Sequence, residues 1–248
     1  GFSFLTRMED VDLNDFLRSS LDLSSLSPED KIIALAMISC WSLSQNLPFN
    51  MSPQEIVFLK NNPKSVWLDY LIYRYKFYLY PEKKIVSKFP VYLLIEPTSV
   101  CNLRCTMCFQ VDKTFTKKQY MGFMSDELFE RIISEADEKG TRAITFASRG
   151  EPTLHPKLGN FLKLASQKKN FFDIKMNTNG TRLTEKLCHE ILSSRLNEIV
   201  FSIDSEIKNV YESIRVNAKF EEVVKNIEMF QSIRCKEYPG NKIHSRIS

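Results

Sequence analysis

The pattern of apolar and polar residues divides the chain into two regions with different periods. Up to about residue 89 the apolar residues recur at helical spacing, and two helix starts carry capping residues, Ser27 before Pro28 and Ser52 three positions before Glu55. A later helix is predicted to bury a stripe formed by Trp67, Leu71, Tyr75 and Tyr78. We therefore predict an all-helical N-terminal extension over residues 1–89.

From residue 90 onwards, short runs rich in β-branched and aromatic residues alternate with amphipathic segments. The runs predict five strands: VYLLIE (91–96), AITFAS (143–148), FDIKMNT (172–178), EIVFSID (198–204) and KIHSRIS (242–248). The segments between them predict helices, and for the first of these Ser125 is the expected N-cap and Gly140 the expected stop. Repeated strand, helix, strand units predict a parallel sheet, either doubly wound or part of a β/α barrel.

Polar motifs follow four of the predicted strands at their carboxyl ends. The motifs are CNLRCTMC (101–108), SRGEPTLHP (148–156), NTNGT (177–181) and SIDS (202–205). The working residues of such folds gather at the carboxyl edge of the sheet. We therefore expect these four motifs to form one site.

Charge and hydropathy exclude several functional classes. The net charge of +4 results from 34 basic and 30 acidic residues, which is too close a balance to indicate a nucleic-acid partner. No apolar run reaches the roughly 18 residues that a membrane-spanning helix needs. The first residues do not have the pattern of a secretion signal, so we expect a cytoplasmic protein.

Three of the six cysteines lie in one loop with the spacing C-x3-C-x2-C. A structural zinc site needs four ligands, ferredoxin clusters use other spacings, and a thioredoxin-like pair would leave Cys101 without a role. Three thiolates on a four-iron cluster would leave one iron open to a substrate or cofactor. Spacing alone leaves these alternatives open. Cys40, Cys188 and Cys235 are scattered among apolar neighbours, which predicts that they are buried thiols.

The cysteine loop directly after the first predicted strand resembles the cluster loop of the radical S-adenosylmethionine (SAM) superfamily. GEP at 150–152 resembles the motif of this family that meets the amino group of SAM. TNGT at 178–181 and FSIDS...YESIR from Phe201 to Arg215 are similar to SAM-binding strand ends of the branch that often carries a SPASM or twitch domain. The resemblance covers about residues 90–248 and implies a radical SAM core domain with a partial (β/α)6 barrel. Because the fifth candidate strand ends at Ser248, we expect the natural protein to continue beyond it.

The resemblance also implies ligands for two cofactors. Cys101, Cys105 and Cys108 would bind a [4Fe-4S] cluster whose open iron is chelated by SAM. A second set is expected to contact SAM: Met107, Gly150, Glu151, Asn179, Ser202, Asp204 and Arg215. In this set Glu151 would meet the amino group and Arg215 the carboxylate, while Asn179, Ser202 and Asp204 would lie near the ribose. Two positions depart from the family pattern, with Arg149 where a glycine is usual and Met107 where an aromatic residue commonly touches adenine.

Simpler explanations exist for several of these residues. Asn179 precedes a glycine and could simply form a turn. Ser202 and Asp204 alternate with apolar residues, as they would in any half-buried strand, and Arg215 could lie at the surface. His155 is interpreted as a residue at the start of a helix rather than a catalytic base.

The function implied by the resemblance is reductive cleavage of SAM at the cluster, which yields a 5′-deoxyadenosyl radical that takes a hydrogen atom from a substrate. The substrate would be a peptide, as for a maturase, or a small molecule, as for an oxidoreductase, and flavodoxin or ferredoxin would donate the electron. The aromatic and basic composition of the extension suggests a peptide-docking surface. The alternative is a non-enzymatic iron-sulfur protein for electron transfer or sensing, although such a protein would have no need of GEP.

Overall fold

The computed structural model describes residues 12–19, 21–44, 46–114 and 116–248, and the chain forms two units, Gly1–Val91 and Tyr92–Ser248. Helices make up the secondary structure described in the first unit, and a parallel sheet with helices makes up the second. The interpretation of residues 1–89 as an extension and 90–248 as a core domain stays a prediction. None of the described helices combines the length and the apolar content that a membrane crossing requires.

The first unit contains helices whose starts follow the capping pattern of the sequence. They are α1 (Leu13–Arg18), α2 (Pro28–Ser44), α3 (Pro53–Asn61) and α4 (Trp67–Glu82). Before α3, the Ser52 hydroxyl accepts the Glu55 N–H at 3.4 Å, and the Glu55 carboxylate accepts the Ser52 N–H at 2.8 Å. The predicted capping box is therefore confirmed.

The buried face of α4 differs from the predicted stripe. Trp67 and Leu71 are buried, but Tyr75 and Tyr78 are only half-buried. Arg74 is buried instead, because it forms an ion pair with Glu55 and packs over the rings of Tyr73, Phe77 and Tyr78. A charged residue enters a buried face only where another element supplies its partner, and apolar spacing carries no information about that partner.

The second unit is built on a five-stranded parallel sheet in the order β1-β2-β3-β4-β5. Its strands are β1 (Tyr92–Ile95), β2 (Ala143–Phe146), β3 (Asp173–Thr178), β4 (Glu198–Phe201) and β5 (His244–Ile247). Each strand lies inside one of the predicted runs. The α/β class and the parallel sheet are thus confirmed.

Helices follow the first four strands, as expected for crossover connections. They are α5 (Asp126–Glu138), α6 (Leu158–Gln167), α7 (Glu185–Leu192), α8 (Lys208–Ile214) and α9 (Phe220–Glu237). Ser125 caps α5 by accepting the Leu128 N–H at 3.2 Å, and Gly140 follows the helix with a φ of 82°, as predicted. Helix α8 was not predicted, since it is short and has no side-chain cap.

The cysteines outside the loop differ in burial. Cys188 on α7 is buried, as predicted, and Cys40 on α2 is half-buried. Cys235 on α9 is exposed, so the prediction of its burial is wrong. Helix α9 buries Val223, Phe230 and Ile233, and a residue two positions after Ile233 lies on the opposite side of the helix.

Charged side chains line one face of the sheet at the amino ends of its strands. Lys175 on β3 pairs with Asp173 at 3.2 Å and with Glu198 on β4 at 3.1 Å, and Arg246 on β5 pairs with Glu198 at 2.5 Å. Burial raises the pKa of Glu198, but the ion pairs with Lys175 and Arg246 outweigh burial and hold the pKa below its ordinary value. By strand alternation Glu198 shares its face with Ser202, so the network lies at the end of that face away from the polar motifs.

Glu198→Gln should lower the melting temperature near neutral pH. It should also make the melting temperature fall less when the pH is lowered. Breaking a buried ion pair costs about 3 to 5 kcal/mol, and we expect about 2 kcal/mol because Lys175 keeps Asp173 and solvent reaches Arg246. Since the folded-state pKa of Glu198 is depressed, its contribution is present above the ordinary value of 4.5 and is lost as the pH falls through the folded-state pKa. Thermal unfolding at about pH 7 and about pH 3 measures both effects. If the melting temperatures of wild type and variant differed by the same amount at both pH values, Glu198 would not be stabilised in its charged form by these ion pairs.

Candidate functional site

A cleft of about 470 Å³ lies at the carboxyl ends of β1 to β4. The three loop cysteines line it, and so do most of the other predicted site residues: Met107, Gly150, Glu151, Asn179, Ser202 and Arg215. Asp204 does not line the cleft but bonds to Arg215, which does. The structure thus brings the four polar motifs to one place, although their contacts with cofactors stay predictions.

The cysteine loop is held by the end of α8, by the segment just after it, and by the arginine of the loop itself. Backbone bonds join Arg104 N–H to the Val216 carbonyl at 3.0 Å and Thr106 N–H to the Ile214 carbonyl at 2.9 Å. The Arg104 guanidinium donates to the carbonyl oxygens of Cys101 and Leu103 at 2.9 and 2.7 Å. These bonds fix the path of the loop between its first and last cysteine.

The three loop thiols share one cleft, as the ligands of one cluster would. In the part of the chain that the structure describes, no group of three or more His, Cys, Asp or Glu side chains is placed to hold a metal ion. Ligands of a single zinc ion lie close around one point, whereas the cysteines of a four-iron cluster bind different irons and lie further apart. Cys101, Cys105 and Cys108 all line the cleft, and their number equals the three protein ligands of a four-iron cluster with one open iron.

The charge environment of the thiols is uneven. Burial raises the pKa of Cys101 and of Cys105. Arg215 acts against burial at Cys105, since its Nη1 lies 3.8 Å from the sulfur. The guanidinium is oriented by Asp204, to which Nε and Nη2 donate at 2.5 and 3.2 Å.

A buried hydroxyl beside the loop supports the same interpretation. Tyr211 is fully buried and packs in one cluster with Leu103 and Cys105. Burial raises the pKa of Tyr211 to about 12, so its hydroxyl is a donor near neutral pH. That hydroxyl has no hydrogen-bond partner among the described residues, which is rare for a buried polar atom. An anionic cluster bound at Cys105 is the kind of acceptor that the hydroxyl lacks.

Glu151 joins the end of β2 to the end of β3. Its Oε1 accepts bonds from the hydroxyls of Thr153 and Thr178, each at 2.7 Å, and its Oε2 accepts the Asn179 N–H at 2.7 Å. Burial raises the pKa of this carboxyl, and the hydrogen bonds oppose the rise. Oε2 accepts a single bond and retains capacity for a second donor.

Gly150 is required by the backbone of the segment before the cysteine loop. A Cβ on Gly150 would lie 1.8 Å from the Thr98 carbonyl oxygen and 2.9 Å from that of Val100. The Glu151 N–H donates to the same Val100 oxygen at 2.9 Å, so the two segments are joined at this point. The structure therefore gives Gly150 a packing role that does not depend on SAM.

The residues predicted to lie near the ribose have different surroundings. Asn179 forms a turn, because its Oδ1 accepts the Thr181 N–H at 3.0 Å while its Nδ2 donates to Asn102 at 3.1 Å. The Asp204 carboxylate is occupied by Arg215. The Ser202 hydroxyl lines the cleft and has no hydrogen-bond partner among the described residues.

His155 has a structural role. It is buried, its Nε2 lies 3.0 Å from the Met124 carbonyl oxygen, and its Nδ1 accepts the Lys157 N–H at 3.2 Å just before α6. Both ring nitrogens are therefore used in holding the connection to α6, in line with the interpretation from the sequence. No ring nitrogen is left for acid-base catalysis.

Two of the cleft residues lie inside the predicted motifs but had no role assigned from the sequence, Asn177 and Ser148. Asn177 is exposed on β3 and lines the cleft two positions before Asn179. Strand alternation was the available signal, since residues two apart point to the same face. Ser148 also lines the cleft and has a φ of 121°, a conformation that no feature of its sequence indicates.

Comparison with known proteins agrees with this geometry. The model of the radical SAM superfamily matches residues 95–242, which is more than half of the chain. The chain is 36% identical over 118 residues to the tungsten-containing aldehyde ferredoxin oxidoreductase cofactor-modifying protein of Pyrococcus furiosus, covering 46% of this chain and 30% of the relative. It is 33% identical over 107 residues to the serine-type anaerobic sulfatase-maturating enzyme of Bacteroides thetaiotaomicron, covering 40% and 26%.

A solved structure described as native anSMEcpe with bound AdoMet superposes with a TM-score of 0.51 at 26% identity, covering 63% of this chain and 42% of the other. The chain spans less than half the length of each of these proteins. AdoMet is SAM, the sulfonium compound implied by the cysteine loop and the strand-end motifs. The chain belongs to the radical SAM superfamily, and its cofactors are a [4Fe-4S] cluster and SAM.

Proposed function

We propose that the chain is a radical SAM enzyme that removes a hydrogen atom from an unreactive carbon of a peptide or small-molecule substrate. When bound, the cluster and SAM supply the electron and the 5′-deoxyadenosyl radical for this step, while the protein supplies position and shelter. The observation that carries the proposal is the single cleft lined by the three cysteines, Glu151 and Arg215.

The first task of the chain's residues is to hold the cluster. Cys101, Cys105 and Cys108 would each lose a proton, because the thiolate is the ligand. Burial opposes this loss at Cys101 and Cys105, and the Arg215 guanidinium favours the charged sulfur of Cys105. Because Asp204 occupies Nε and Nη2 of Arg215, the predicted contact with the SAM carboxylate would need Nη1 or a new position of Asp204.

The second task is to orient SAM. The Glu151 carboxylate has room for one more donor at Oε2, and the SAM ammonium group is a suitable one. A bound cation would also favour the ionised form of a carboxyl whose pKa is raised by burial. The free hydroxyl of Ser202 is the best placed of the ribose candidates, and Met107 lines the cleft where it could pack on adenine.

The third task is to keep water from the reacting carbon. Apolar side chains of Leu94, Leu103 and Ala147 line the same cleft as the polar groups. Apolar walls reduce the access of water to reactive species and so prevent side reactions. The substrate carbon would lie beside these apolar side chains.

For the substrate class, we favour a peptide over a small molecule. The support is the relative from Bacteroides thetaiotaomicron, whose name assigns it the maturation of a sulfatase, which is itself a protein. The SPASM or twitch-like branch, an electron donor such as flavodoxin or ferredoxin, and peptide docking by the N-terminal extension belong to the same proposal.

Electron paramagnetic resonance of the reconstituted, dithionite-reduced chain tests the proposal, with and without SAM, followed by an assay for 5′-deoxyadenosine. We expect a cluster signal that shifts on addition of SAM, together with formation of 5′-deoxyadenosine. A cluster signal that SAM leaves unchanged, without 5′-deoxyadenosine, would instead support the iron-sulfur electron carrier or sensor.

A further inference from the structure

Arg149 lies at the end of β2 between two residues with constrained backbones. Ser148 before it has a φ of 121°, which is rare for any residue except glycine, and Gly150 after it has no room for a Cβ. Ser148 and Arg149 both line the cleft that contains Cys101 and Glu151. Strained backbone persists only where its surroundings determine it, and such positions cluster at functional sites.

Bonds to its backbone and to its side chain hold Arg149 in place. Its N–H donates to Glu96 Oε2 at 2.8 Å, and its carbonyl oxygen accepts from Gln110 Nε2 at 2.7 Å. Its Nε and Nη2 donate to the two oxygens of Glu96 at 2.7 to 3.2 Å. Burial raises the pKa of Glu96, but the bonds to Arg149 outweigh burial and keep the pKa below its ordinary value, so the carboxylate is charged.

One edge of the Arg149 guanidinium remains unused. A guanidinium has five N–H donors, and Glu96 takes those on the Nε and Nη2 edge. The donors of Nη1 have no partner among the described residues, and the side chain is 44% exposed. Nη1 and the second N–H of Nη2 form an end-on edge that can bind two oxygens of one anion.

The charges around Arg149 favour an anion with a single charge. Glu96 already neutralises the guanidinium and would repel a phosphate dianion more strongly than a carboxylate. Arg215, the other guanidinium along the cleft, is directed to Asp204 and Cys105. Among the described residues that line the cleft, Arg149 is therefore the guanidinium with an unpartnered edge, and this edge suits a planar monoanion.

We infer that the free edge of Arg149 binds a carboxylate of the substrate. This inference rests on the proposed function, because it places the substrate in the cleft lined by Cys101 and Glu151. The carboxylate would belong to a C-terminus or free amino acid, or to an acidic side chain. Glu96 is a positioning residue, since it orients Arg149 without itself facing the anion.

Small probes distinguish these sources in the cluster-loaded, SAM-bound chain. N-acetylglycine carries an α-carboxylate, N-acetylaspartic acid α-amide carries a side-chain carboxylate, and N-acetylglycinamide carries neither. Saturation-transfer NMR measures their binding, and inorganic phosphate is added as a competitor. Arg149→Gln and Arg149→Lys are compared with Arg131→Gln, which removes an exposed guanidinium on α5.

We expect at least one carboxylate probe to bind several-fold more tightly than the amide, and the tighter probe identifies the source. Arg149→Gln should weaken that binding about tenfold, because a bidentate charge-assisted pair is lost. Arg149→Lys should retain part of the affinity, since it keeps the charge but not the planar fork. Arg131→Gln should change nothing.

Three results would overturn the inference: equal carboxylate binding by wild type and Arg149→Gln, phosphate binding tighter than carboxylate binding, or loss of the SAM-dependent resonance shift in Arg149→Gln. The last result would place Arg149 at SAM instead of at the substrate. Failure of the proposed function would give a different result, because the resonance of the wild-type cluster would not shift when SAM is added. The same probes are then titrated into the cluster-loaded chain without SAM, and the effect of Arg149→Gln on their binding still shows whether Arg149 binds the carboxylate.

Discussion

Cys105→Ala should abolish both cluster assembly and SAM cleavage. Cys105 is the one buried residue among the three loop cysteines and contacts the Arg215 guanidinium, so its loss would remove a proposed cluster ligand and leave that cation without a sulfur partner. Two remaining thiolates do not hold a cluster that needs three protein ligands and one open iron. We expect about four irons per wild-type chain after anaerobic reconstitution, well under half of that in the variant, and no 5′-deoxyadenosine.

Cys235→Ala is the matched control, because Cys235 is exposed on α9 and outside the cleft. It should load iron and respond to SAM as wild type does. Since Cys105 also packs against Tyr211, circular dichroism should show that the variant is folded, and Cys105→Ser provides a second variant closer in size. A Cys105→Ala chain that still binds about four irons with a SAM-dependent signal would refute the ligand assignment, and zinc in wild type would restore the zinc alternative.

The strands and the place of the site could be predicted from sequence because both depend on local patterns. Runs such as EIVFSID contain their own strand propensity, and the residues that follow a parallel strand must lie at the carboxyl edge of the sheet. The capping residues Ser52 and Ser125 act within one turn of the chain. Local signals of this kind need no knowledge of a distant partner.

The side-chain pairings could not be predicted, because each depends on a partner far along the chain. Asp204 and Arg215 were assigned separately to the ribose and the carboxylate of SAM, yet they bond to each other. Arg149 departs from the family pattern, and only the structure shows that Glu96, distant in sequence, holds it. The burial of Arg74 likewise depends on a partner on another helix, because Arg74 forms an ion pair with Glu55.

Two motif residues of the cleft show the same contrast between local patterns and distant contacts. The sequence predicts that Gly150 and Glu151 contact a cofactor, but in the structure both residues also connect separate segments of the chain. Gly150 permits contact with Thr98 and Val100, and Glu151 connects β2 with the end of β3 at Thr178. A substitution at either position should therefore change folding stability even before any cofactor is bound.

Gly150→Ala should lower the stability of the cofactor-free chain strongly. The new Cβ would lie 1.8 Å from the Thr98 carbonyl oxygen and 2.6 Å from its carbon, and neither backbone atom can rotate away. Overpacking typically costs about 1 to 3 kcal/mol, and a backbone neighbour puts this case at about 3 kcal/mol. For a domain of this size, the melting temperature should fall by roughly 10 °C.

Gly240→Ala serves as the control, because a Cβ there meets no atom within 4 Å, and its melting temperature should stay within about 1 °C of wild type. Thermal unfolding of both variants without cofactors isolates packing from SAM binding. If Gly150→Ala melted like wild type and lost only the SAM-dependent resonance shift, Gly150 would be a SAM contact and not a packing position. If Gly150→Ala instead melted at a lower temperature without cofactors, the segment after β2 would have moved away from Thr98 and Val100. This one movement would then disturb both the cysteine loop and the proposed SAM site.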